Sequence, residues 1–322
     1  MPSSSESDES KILLSLLADE EGPRAAGLNG QQKLRLEMLV RSAKVSLRVE
    51  QINRRWEHPP DQEAGKQRLI ADTKAAIQLC ETEQAWLEDL QEDESLDAGA
   101  RTLSLTVVLN AAGQAQSLIN HRKEARASLF RAMALSPNFI DPYITTAEIL
   151  LNGKLEVDLD WPAKTERMLK EALRIDPASK QALSLLAQLY GNPVFGKETD
   201  AIGILEKLDP DPKLAFLLAT LYDRQGRTKD AIRRMWVAIA LGRDTKESYR
   251  LFVLYCLKLA DSDPDKDTLL EDAERYAAEK LADAELAVRV GTEIGRLARV
   301  REAEAKPGAA LPDPAKQNKP GT

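Results

Sequence analysis

The side chains best placed to do chemistry in this 322-residue chain lie in Asp261-Ser-Asp-Pro-Asp265, where carboxylates alternate and Asp272 stands twelfth from the first. Oxygen ligands surround a calcium ion with that spacing. The sixth position, however, is Lys266, where the tight turn of such a loop needs glycine, and Pro264 restricts the path. The run therefore reads as an acidic connection that caps a helix starting near Thr268. Histidine chemistry is sparse: the chain has 2 His, with His58 beside prolines and His121 in a basic His-Arg-Lys step. Neither stands in a Ser or Cys nucleophile arrangement, near a phosphate-cradling glycine loop or in metal-ligand spacing. No catalytic residue, metal or cofactor is expected, and the chain reads as a non-enzyme. Cys80 and Cys256 lack a C-x-x-C partner, as buried apolar thiols of a cytoplasmic protein do. Trp56, Trp86, Trp161 and Trp236 could serve as stacking platforms, but Trp236 beside Met235 and Trp161 before Pro162 read as packing residues.

Composition limits the elements that could hold such groups. Basic residues number 45 against 52 acidic, a net charge of −7, and no basic tract is dense enough to grip a phosphate backbone, so nucleic acid is not an expected partner. Hydrophobic residues make up 43% of the chain but aromatics only 5%. The core must then be Leu, Ala, Val and Ile, which suits helices packed at close range. No apolar run is long enough to span a bilayer, and no sustained strand alternation occurs, so everything ordered should be helical.

The chain divides by pattern into four parts. Residues 1–30 form an acidic, Ser-rich stretch, expected to be disordered and unlike a secretory or transit signal; a cytoplasmic location follows as the expectation. Within it, Leu13, Leu16 and Leu17 spell L-x-x-L-L, a form that can dock in a partner's groove. Residues 31–95 carry two long helical patterns, broken by His58-Pro-Pro-Asp61, and should fold as an antiparallel hairpin. Residues 96–302 repeat, and residues 303–322, rich in Pro and Lys, should be a disordered tail.

The repeat is clearest over Ala215 to Ala238, where Leu218, Ala219 and Tyr222 are followed by Ala231, Met235 and Ala238, and again at Leu183, Leu186, Ala187 and Tyr190. This pattern resembles the tetratricopeptide repeat, about residues 103–300. The small residue of the first helix recurs as Gly113, Ala147, Ala187, Ala219 and Val253, at separations of 34, 40, 32 and 34. Its counterpart on the partner helix is Ala125, Thr165, Ala201, Ala231 and Ala273. Insertions fall mostly in the turn inside a unit, and Arg243 stands where the family usually closes with proline. The resemblance implies an all-α solenoid of about five helix pairs, its first helices lining a concave side, with the 31–95 hairpin packed on the first unit.

On such a solenoid an inward stripe follows one place after the bulky position of each first helix and at every fourth place thereafter. It comprises Asn110, Gln114 and Leu118, then Ile144, Glu148 and Asn152, then Ser184, Gln188 and Asn192, then Phe216, Thr220 and Arg224, then Arg250, Leu254 and Lys258. Amides can serve a peptide backbone, Phe216 an apolar anchor, and the basic end a carboxylate. The expected role is a non-catalytic adaptor or scaffold binding a protein or peptide partner of acidic and apolar character. An assembly chaperone for a basic client is the alternative. A co-chaperone clamp for a C-terminal carboxylate fits less well, because the first unit offers Asn110 and Gln114 without an inward Lys.

Overall fold

The computed structural model describes residues 29–90, 98–152 and 160–304, and among these no strand occurs. The L-x-x-L-L segment, the 153–159 insertion and all but the helix-end residues of the two expected tails lie outside the described residues. The described residues divide into two compact units between Leu189 and Tyr190.

The first unit opens with α1, Gly30–Glu57, and α2, Glu63–Asp89. Asn29 starts α1 with a capping box, its carboxamide oxygen taking the Gln32 N–H at 2.9 Å while the Gln32 side chain takes the Asn29 N–H at 3.0 Å. Pro59 and Pro60 stop the helix, and Gly65 lets α2 leave closely, since a Cβ there would stand 2.7 Å from Pro60 Cβ. The pairing is antiparallel, as expected. Arg41 spans to Glu83 at 2.6 Å near one end, and Trp56 Nε1 donates to Thr73 at 3.0 Å near the other. Met38, Val45, Val49 and Ile52 on α1 face Leu69, Ile77, Cys80 and Leu87 on α2.

Helix α3, Ala98–Leu118, lies against both and buries most of its circumference, from Leu105 and Val108 to Ala111 and Ala112, leaving a stripe through Leu103 and Val107 less covered. A helix buried on so many sides belongs inside a fold, and the hairpin is part of what puts it there. Its partner is α4, Arg122–Leu135. The pair α5, Asp141–Leu151, and α6, Trp161–Ile175, follows, and then α7, Lys180–Tyr190, in whose last turn the division between units falls.

The second unit holds α8, Glu198–Leu205, then the pair α9, Pro212–Arg224, and α10, Thr228–Ala240. The pair α11, Lys246–Lys258, and α12, Lys266–Tyr276, follows, and after a single π turn α13, Ala284–Glu304, packs on α12. The small residues sit where the repeat requires contact: Ala147, Ala187, Ala219 and Val253 are all 0% exposed, as are Ala125, Thr165, Ala201, Ala231 and Ala273. Gly113 is tightest, since a Cβ there would meet Leu129 Cγ at 2.6 Å. The turns inside two pairs share one geometry. Asn120 and Gly226 take left-handed φ values of 66° and 73°, and the following N–H reaches back to Gln116 O and Tyr222 O, each at 2.9 Å.

Candidate functional site

In the first unit the hairpin covers part of the expected stripe. Asn110 is only 7% exposed, with its Oδ1 lacking a hydrogen-bond partner among the described residues. Gln114 takes a hydrogen bond from Asn53 of α1 at 3.2 Å and gives one to Thr145 of α5 at 3.1 Å. Gln114 therefore joins α1, α3 and α5, while Asn110 is simply buried. Ile144 is buried, and Glu148 accepts from Gln181 at 2.9 Å, with burial holding its carboxyl above the usual carboxylate range. Asn152 and Gln188 are exposed, and Gln188 donates to Ser184 at 3.3 Å.

In the second unit Asn192 is a cap: its side chain accepts the Val194 N–H at 3.1 Å and starts a short 3-10 turn. The Phe216 ring is stacked by the Arg243 guanidinium at 3.8 Å, so the residue that replaces the family's closing proline masks one face of the expected apolar anchor site. Thr220 turns its hydroxyl back to Leu217 O at 2.7 Å. Each expected stripe cation is already engaged. Arg224 donates to Gly191 O at 3.0 Å and Glu198 at 3.1 Å, Lys258 to Asp223 at 2.8 Å, and Arg250 faces Asp283 at 3.5 Å. The stripe's end is a set of ion pairs rather than the basic patch that the sequence suggests, because the acidic partners come from neighbouring helices and turns that a single-helix pattern does not align.

Leu254 remains half-buried in an open cleft of about 260 Å³, lined by Leu251, Leu254, Tyr255, Leu257, Lys258 and Asp223, with Arg289 of α13 opposite. Arg289 is the residue that sequence reasoning missed. The stripe spacing carried no signal for it, since taking Gly291 on α13 as the next small residue after Val253 places the stripe at Val288, Thr292 and Arg296 and passes Arg289 by.

The acidic connection at Asp261 is organised around a lysine. Lys266, 2% exposed, donates to Leu259 O and Asp261 at 2.7 Å and to Glu293 at 3.1 Å. Arg296 closes the cluster, reaching Asp261 at 2.7 Å and Glu293 at 2.8 Å. Hydrogen bonds from Arg296 and Lys266 hold the Glu293 carboxyl down to about 2. The expected cap is corrected here. α12 starts at Lys266, two places before Thr268, and its N-cap Asp265 makes no side-chain capping bond. Asp263 is turned instead to the Asp265 N–H at 2.9 Å and to Lys229 of α10 at 3.0 Å.

Both thiols are buried, and burial pushes Cys80 and Cys256 up to about 12. Trp236 is 51% exposed, while the other tryptophans are partly covered, Trp86 under the Arg41 guanidinium at 3.8 Å. No group of three or more His, Cys, Asp or Glu able to hold a metal occurs among the described residues, and no described helix is long and apolar enough to cross a membrane.

The described residues thus form an all-α fold of successive helix pairs closed by small residues. No family model and no curated protein matches the sequence. Among solved structures it is similar to a thermophilic TPR protein of Thermus thermophilus, at 18% identity and a TM-score of 0.42 over 60% of this chain and 94% of that one. It is also similar to PilF of Pseudomonas aeruginosa, at 14% identity and a TM-score of 0.42 over 63% and 98%. A third likeness is to the Cut9–Hcn1 hetero-tetramer of the APC/C, at 13% identity and a TM-score of 0.30, where the match takes 82% of this chain and 57% of that one.

Proposed function

We propose that the chain is a non-catalytic protein-interaction adaptor or scaffold that takes up a peptide segment or a partner subunit against the first helices of its repeats. The observation that supports this is the leucine row of α11. Leu251, Leu254 and Leu257 are half-buried along an open cleft, apolar side chains left partly wet where a partner's anchor residue would cover them. A surface already held by packed helices bears little ordering cost on binding. The test is co-purification with the tagged full chain, compared with Leu254→Asp. Loss of the co-purifying proteins at an unchanged melting temperature is the expected result, and an unchanged set of partners rejects the reading.

A further inference from the structure

We propose that Arg289 is the cation that selects the ligand of the α11–α13 cleft, and that this ligand is a peptide carrying a carboxylate next to a large apolar side chain. The proposal rests on the binding reading above and names the partner's chemistry. Three observations carry it. The cations expected from the stripe are committed: Arg224 to Glu198, Lys258 to Asp223 and Arg250 to Asp283. Arg289 is exposed, and it makes no hydrogen bond or ion pair among the described residues. It also stands at the wall shared by the cleft and an adjoining recess of about 360 Å³, which Leu257, Thr292 and Glu293 complete.

The acids of that wall do not cancel its charge. Asp223 carries Lys258, and Glu293 carries Lys266 and Arg296. The local excess is one positive guanidinium above a leucine floor. A planar guanidinium with its donors unused takes a carboxylate through two parallel bonds, while the floor removes an adjacent apolar side chain from water. Two features of one ligand are thus read a short distance apart, which neither the charge nor the leucines would specify alone.

The test uses a randomised short-peptide library displayed on phage and panned on the full-length chain, on Arg289→Glu, on Leu254→Asp, and on Arg126→Glu as an equal charge change in the first unit. The wild type and Arg126→Glu should enrich sequences with Asp or Glu close to a Leu, Phe or Met. Synthetic peptides from that pool should bind Arg289→Glu about tenfold more weakly or worse, the loss of one charge-assisted contact. Binders lost on Leu254→Asp but indifferent to Arg289→Glu, or enriched without acidic residues, overturn the proposal and leave the binding reading standing. A pool that yields no binder sensitive to Leu254→Asp removes both.

Discussion

Lys266 shows how one residue can reverse the meaning of a motif. Its ammonium sits among the Leu259 carbonyl, Asp261 and Glu293, so the carboxylate spacing that suggests a bound ion is answered from within the chain. Lys266→Ala should lower the stability of the second unit by about 2–4 kcal/mol, because it leaves a buried carbonyl without a donor and a cavity along the lost stem. Lys266→Met refills the cavity and should recover part of that loss; Asp261 and Glu293 keep Arg296 and partial solvation in either variant. Denaturant unfolding followed by Trp236 fluorescence measures both. A cost for Lys266→Ala under about 1 kcal/mol would show that the buried ammonium contributes nothing net, as some buried ion pairs do. The sequence marked Lys266 as the misfit in the loop, yet could not show where its amine goes. Glu293, which holds it, lies 27 residues away on another helix.

Helix pairing is where the sequence was most informative, because the small residues are both the signature and the physical contact. Gly113→Ala should destabilise the α3–α4 pair by about 1–3 kcal/mol, despite alanine's better helix propensity, since the new Cβ meets Leu129 Cγ at 2.6 Å and Ala125 O at 3.2 Å. Gly295→Ala is the contrast. Nothing lies within 4 Å of its Cβ position, so propensity should act alone and raise stability by up to about 1 kcal/mol. Thermal melts of the two variants should move in opposite directions. Positions one place off the small-residue stripe were far less legible. Gln114 and Asn110 obey the inward spacing, but Gln114 is bonded to Asn53 of α1 and Asn110 is buried, which no periodicity within 96–302 announces. Arg243 likewise departs visibly from the repeat, and only the fold shows its guanidinium resting on Phe216.

The two units should respond to acid in opposite ways. In the second, Glu293 is held at about 2 against an ordinary 4.5, and Asp261 and Asp263 are also lowered by the lysines, arginine and backbone N–H that contact them. A carboxyl lowered in the folded state contributes stability that is present above its unfolded value and is lost as pH falls toward the folded one, here between about 4.5 and 2. In the first unit, burial raises Asp141 and Glu148, so protonation favours the folded form as pH drops. Single-tryptophan variants retaining Trp86 or Trp236 should separate the two. The Trp236 signal should report loss of structure at the higher pH, and coincident transitions would contradict the assignment. The hairpin α1–α2 also governs how shortened versions of this protein will behave. Leu105, Val108 and Leu109 of α3 are dry because α1 and α2 lie on them. A chain begun after residue 90 would present that row to water, and its first property would be insolubility, whatever binding surface it kept.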